Sequence, residues 1–96
     1  MTSKQRAYLR SLANGIEAIF QIGKGGIGEN LVKQIEEALE ARELIKITVL
    51  ETAPNSIKET AERLADKTNS IVVQTMGSKI TLYKPRKKES KIILPE

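Results

Sequence analysis

Apolar positions in this chain switch repeatedly between helical and strand spacing, and the switches mark out seven elements. Tyr8, Leu9, Leu12 and Ala13 recur at helical spacing within Ser3 to Ala13, and Asn14-Gly15 offers a left-handed stop. Ile16, Ala18, Phe20 and Ile22 then alternate with Glu17, Ile19 and Gln21, the period of a strand whose second face is only partly apolar. After the glycine-rich stretch Gly23-Lys24-Gly25-Gly26-Ile27-Gly28, a second helix starts at Gly28 or Glu29 and ends near Arg42. Leu31, Val32, Ile35, Ala38 and Leu39 make its apolar stripe. The β-branched residues Ile45, Ile47, Thr48 and Val49 predict a second strand between Glu43 and Glu51. Ala53-Pro54-Asn55 breaks the chain, and Ser56 with Glu59 reads as a capping box opening a third helix. Ile57, Ala61, Leu64 and Ala65 form its stripe, and Thr68-Asn69-Ser70 closes it. Two further strands, Ile71 to Met76 and Lys79 to Lys84, flank a Gly77-Ser78 turn that suits a two-residue hairpin with glycine first.

The order is therefore α-β-α-β-α-β-β. A strand, a helix and a strand at this length imply a parallel pair, whereas the closing hairpin is antiparallel. The expected fold is α/β, with a four-stranded mixed sheet in a two-layer or three-layer sandwich. One domain spans residues 1–84. From residue 85 the composition shifts to a basic C-terminal tail, where Lys84, Arg86, Lys87, Lys88 and Lys91 crowd around Glu89 between Pro85 and Pro95.

Composition narrows the chemistry. Sixteen Lys and Arg against twelve acids give a formal charge of +4 and a pI near 9.5, which makes nucleic acid a reasonable partner. The chain has no Cys and no His, so disulfides, thiolate chemistry, the usual zinc sites and the commonest general base are all missing. The residues suggest no enzyme, no cofactor and no metal. No stretch approaches the roughly 18 apolar residues of a membrane span, and a soluble, cytoplasmic protein is expected, taken as a monomer.

The glycine stretch is the candidate site. A loop without Cβ atoms can turn sharply and bring backbone N–H groups against a ligand, Lys24 adds a mobile charge, and the following helix start adds unsatisfied N–H groups. Three readings are open. Gly23, Gly25 and Gly28 satisfy G-x-G-x-x-G, the dinucleotide fingerprint, whereas Gly23 and Gly26 satisfy G-x-x-G, a loop that clamps an RNA backbone. The third is a tight connection with no ligand. The first helix adds Lys4, Arg6 and Arg10 with no acid before Glu17, a positive surface suited to phosphate. Glu36, Glu37 and Glu40 give the second helix an acidic outer face that should not touch nucleic acid. Arg63 is expected to pair with Glu59.

Four stretches in this order resemble the CRM domain, the chloroplast RNA splicing and ribosome maturation domain, in its stand-alone bacterial YhbY-type form. They are Lys4-Gln5-Arg6 with Leu9-Arg10 and Leu12-Ala13; Ile22-Gly23-Lys24-Gly25-Gly26; Glu43-Leu44-Ile45-Lys46; and Val73-Gln74 with Gly77 and Leu82-Tyr83. The resemblance implies an RNA-binding module with a fold similar to the C-terminal domain of bacterial translation initiation factor 3. It also implies association with ribosomal RNA of the large subunit during assembly, and no catalysis. Gly23, Lys24, Gly25 and Gly26 correspond to the family's RNA-contacting loop, with Lys4, Arg6 and Arg10 nearby. Two positions depart from the family pattern: Asn14, where His is usual, and Gly28, where a capping Thr is usual.

Tyr83, Lys84, Arg86, Lys87 and Lys88 are candidates for additional RNA contacts near the basic end. With aromatics limited to Tyr8, Phe20 and Tyr83, recognition is expected to depend on RNA shape and backbone rather than on stacked bases. The alternatives are a nucleotide-binding protein using the loop as a phosphate cradle with Glu51 on the ribose, and a protein-interaction module docking on a ribosomal protein through the acidic face of the second helix.

Overall fold

Periodicity and caps place all seven elements, and a computed structural model describes residues 1–86, 90 and 92–95. The elements are α1 (Ser3–Ala13), β1 (Ala18–Ile22), α2 (Glu29–Arg42), β2 (Leu44–Val49), α3 (Ile57–Thr68), β3 (Ile71–Met76) and β4 (Lys79–Tyr83). They build one sheet in the order β1-β2-β4-β3, with β1 parallel to β2 and the other neighbours antiparallel.

The strand period divides the core in two. Ile45, Ile47 and Val49 of β2, with Ile80 and Leu82 of β4 and Ile22 of β1, pack against Ile35 and Leu39 of α2 and Ala61 and Leu64 of α3. The intervening residues Leu44, Val73 and Tyr83 face the other way and pack against Leu9 and Ala13 of α1. The sandwich therefore has three layers, with α1 as the one helix among the described residues on its side of the sheet. Each fully buried Leu or Ile contributes about 1.5–3 kcal/mol of burial, so both clusters are needed to hold a sheet this small together.

Helix ends follow side-chain chemistry with three departures from expectation. Thr2 caps α1 in a complete capping box with Gln5, a signal readable as Thr-x-x-Gln and overlooked in the pattern. At the other end Asn14 is right-handed, not left-handed, and the helix tightens out through i→i+3 bonds from Gly15 N–H to Leu12 O and Ile16 N–H to Ala13 O. Only half of the expected Ser56 box forms. Ser56 Oγ accepts from Glu59 N–H, while the Glu59 carboxylate pairs with Arg63 at 3.0 Å as expected.

Two bulges reset the strand period. The register of β1 on β2 shifts between Ala18 and Phe20, so Ala18 and Phe20, expected on one face, point to opposite faces. A second shift between Val72 and Gln74 bends β3 and turns the carbonyls of Val72 and Val73 outward, where Arg6 Nη1 donates to both at 2.6 and 2.9 Å. The Gly77-Ser78 hairpin behaves as its sequence suggests, with positive φ at Gly77 alone.

The described residues beyond Tyr83 fold back rather than extend. Glu43 is fully buried at the end of α2 with φ of 66°. Its backbone oxygen accepts from Lys84 N–H at 2.8 Å, and its carboxylate accepts from Ser90 Oγ and, at 3.4 Å, from Arg86 N–H. Ile92 and Leu94 then pack beside Leu12 and Ile16, and Gln5 Nε2 donates to Pro95 O.

Arg6→Ala removes a charged donor from two part-buried carbonyls and should lower the unfolding free energy by about 1–3 kcal/mol in urea titration; an unchanged midpoint would contradict the clamp. Burial, and secondarily the negative charge of Glu43, raises the pKa of Tyr83 above its ordinary value. The folded state then holds that proton more tightly, so the stability it contributes is complete below pH of about 10 and is lost as pH rises through the raised value. Phenolate absorbance in a Tyr8→Phe background should show a transition above the ordinary tyrosine range, collapsing to it on unfolding.

Candidate functional site

Parallel pairing puts the carboxyl ends of β1 and β2 at one edge of the sheet, where open α/β sheets collect their ligands. Leu50 N–H donates to Ile22 O at 2.8 Å and Val49 N–H to Ser78 O at 2.7 Å. The loop after β1, the connection after β2 and the β3–β4 turn are thereby tied into one surface. The loop itself opens with a tight turn, closed by Gly26 N–H to Gly23 O at 2.9 Å, with Lys24 and Gly25 at its tip.

The four glycines of this loop are not equivalent. Gly26 has φ of +65°, and a Cβ there would lie 3.0 Å from Pro54 Cγ, so conformation and space both demand glycine. A Cβ at Gly23 would make ordinary contacts with Leu50 and Thr52 at 3.5 Å. Gly25 and Gly28 have nothing within 4 Å of such a Cβ and no positive φ. The fold does not need glycine at Gly25. Lys24 and Gly25 are both exposed, and their N–H groups have no partner among the described residues.

The start of α2 contributes less to an anion site than the sequence suggests. Gly28 is the N-cap with no side-chain cap bond, as its departure from Thr implies, but Glu29 occupies the first turn. Its carboxylate already answers the positive end of the helix dipole. The groups at this corner that remain open to an anion are therefore the loop N–H groups and Lys24.

The basic residues of α1 divide by task. Lys4 and Arg10 are exposed. Arg6, expected to extend the phosphate surface with them, is half-buried, with Nη1 committed to the β3 bulge. Nor does α1 adjoin the loop. It packs on Leu44, Val73 and Tyr83, whereas the loop follows Ile22, which pairs with Val49 five residues further along β2. That separation is about 16 Å at strand rise.

Of the additional candidates, Tyr83 is only 2% exposed and packs the α1 cluster, so its ring does not face solvent. Lys84 Nζ donates to Thr68 O at 3.2 Å, capping the end of α3. Arg86 is partly exposed, and Lys87 and Lys88 lie outside the described residues. Glu51 is exposed in the turn after β2. The residue that pattern reading missed is Glu43: an acid between a helix and a strand looks like a solvated linker, and only the packed chain shows it buried. No cluster of metal-binding side chains and no helix long and apolar enough to cross a membrane occurs among the described residues.

Comparison with known proteins places this geometry. The chain is 48% identical over 95 residues to the "Probable RNA-binding protein YqeI" of Bacillus subtilis, covering 99% of both chains. It is 32% identical over 95 residues to an "RNA-binding protein" of Haemophilus influenzae, covering 99% of this chain and 95% of that one. The solution structure of a hypothetical protein from Staphylococcus aureus superposes with a TM-score of 0.83 at 53% identity, covering 99% of each chain. The sequence model of the CRS1 / YhbY (CRM) domain matches residues 1–84. The chain belongs to the CRS1 / YhbY (CRM) domain family.

Proposed function

We propose that the protein binds RNA through the loop Gly23–Gly26, with large-subunit ribosomal RNA as its target and ribosome assembly as its setting. The observation that carries this reading is Gly25, a glycine at the exposed tip that neither φ nor packing requires. A residue without a side chain is useful there if another backbone must come close. Lys24 beside it supplies a phosphate partner, and the two exposed N–H groups supply donors that suit an anionic oxygen. The names of relatives similar along nearly their whole length support the class of partner. The resemblance to ribosome-maturation domains supports the ribosomal setting.

The mechanism is binding alone. Loop N–H groups and Lys24 approach the sugar-phosphate chain, and Arg10 and Lys4 extend the positive surface toward the other end of the strands, on the α1 side of the sheet. Arg6 contributes charge while holding α1 to β3. Sparse exposed aromatics favour recognition of shape and backbone over sequence.

Binding of the full chain to purified bacterial large-subunit ribosomal RNA across a salt series tests this. Lys24→Ala should weaken binding about five-fold and reduce the salt slope by about 1. Gly25→Ala should weaken binding with no change in thermal midpoint. Unchanged affinity in both variants would contradict the assignment of the loop.

A further inference from the structure

The loop and the exposed cations of α1 lie at opposite ends of one sheet face, and what lies between them has not been assigned a role. Register fixes its composition. Gln21 of β1 pairs with Thr48 of β2, Thr48 with Lys79 of β4, and Lys79 with Met76 of β3, giving one row across the sheet next to the loop. The next row runs Ala18, Lys46, Thr81 and Gln74. Only then comes the row of Leu44 and Tyr83 that α1 covers. Both intervening rows face the α1 side, because Ile22, Ile47, Val49, Ile80 and Leu82 alternate with them and belong to the α2–α3 core.

The first row is open. Gln21, Lys79 and Met76 are exposed, Met76 at 57%, and Thr48 is half-buried. The side chains of Gln21, Thr48 and Lys79 have no hydrogen-bond partner among the described residues. The second row is more occupied: Thr81 is buried and Lys46 Nζ donates to Ile16 O at 3.2 Å.

Charge selects the occupant. The two rows carry Lys46 and Lys79 and no acid, and α1 adds Lys4, Arg6 and Arg10, again with no acid. On the other side of the sheet α2 and α3 together carry seven acids against five bases. Even with Glu17 beside Leu12 and Ile16 and the buried Glu43 near Tyr83, the sheet separates a net basic side from a net acidic one, and a polyanion is directed to the first.

We propose that the row Gln21, Thr48, Lys79 and Met76 is a second RNA-contacting surface, over which the strand held by the loop passes toward Arg10. Lys79 meets a phosphate, Gln21 and Thr48 bond to sugar hydroxyls or phosphate oxygens, and Met76 offers an apolar surface to a base. This rests on the RNA reading of the loop, and its test separates the two.

Binding of the full chain to purified bacterial large-subunit ribosomal RNA is measured for the parent, Lys24→Ala, Lys79→Ala and Thr48→Val, with Lys67→Ala on α3 as control. Thr48→Val keeps the shape and strand preference of the side chain and removes only its hydroxyl. Lys79→Ala should weaken binding about five-fold with a salt slope shallower by about 1. Thr48→Val should weaken it about three-fold with the slope unchanged, and Lys67→Ala should bind as the parent. If Lys24→Ala weakens binding while Lys79→Ala and Thr48→Val do not, the row is overturned and the loop reading stands. If the row variants weaken binding and Lys24→Ala does not, the row stands and the loop reading falls. A parent that binds no RNA overturns both. A row that seats a second copy of the chain would instead give a concentration-dependent doubling of mass in sedimentation, lost in Met76→Glu, and would overturn the proposal.

Discussion

Parallel pairing of β1 with β2 is the constraint on which the candidate site depends. A parallel neighbour forces the chain to cross over through α2, so the loop leaving β1 and the loop leaving β2 emerge at the same edge. There Leu50 N–H reaches Ile22 O, and Pro54 closes against Gly26. The contact between Gly26 and Pro54 sets the entry of the loop into α2, and the Gly23–Gly26 bond sets the turn. The tip, Lys24 and Gly25, is what remains when those two restraints are satisfied, and it stands in solvent on a fixed base. A rigid frame with an open tip suits backbone recognition, because little ordering entropy is lost when the ligand arrives.

The sheet also acts as an electrical partition. Residues alternate in direction along each strand, so β2 presents Ile45, Ile47 and Val49 to one core and Leu44, Lys46 and Thr48 to the other side. The acids of α2 and α3 are confined to the first side, and α1 with the open rows gives the second its positive sign. Arg6 belongs to both fold and field. It is positive on the basic side, yet its clearest task is to satisfy the carbonyls that a bulge turned out of β3. Glu43 does the complementary job at the other end: its backbone oxygen accepts from Lys84 N–H and its buried carboxylate from Arg86 N–H.

Local signals made the elements legible and long-range pairing decided the rest. The stripe of Ile35 and Leu39, the alternation of β2, the Asn69 stop and the Gly77 turn all act within a few residues of themselves, and each element formed where they indicated. The bulges at Ile19 and Val73 were not legible, because a bulge is a mismatch between two strands far apart in sequence. Arg6 looked like Arg10 for the same reason: only the β3 bulge, more than sixty residues away, distinguishes them. Within the loop the motif was plain, but its four glycines read alike until Pro54 separated the one the fold needs from the one it does not. The basic tail was read from its charges and its prolines, and Ile92 and Leu94, which anchor its described part beside α1, are the apolar residues that kept it from being purely polar.

The central claim is that RNA meets the α1 side of the sheet and the loop edge, and leaves the α2–α3 side alone. Backbone amide shifts of labelled protein, followed by NMR during titration with a ribosomal RNA fragment, test it most directly. The account predicts perturbations concentrated at Lys24, Gly25, Arg10 and Lys79, with Glu36, Glu37 and Glu40 undisturbed. Perturbations centred on the outer face of α2, with the loop tip silent, would contradict it.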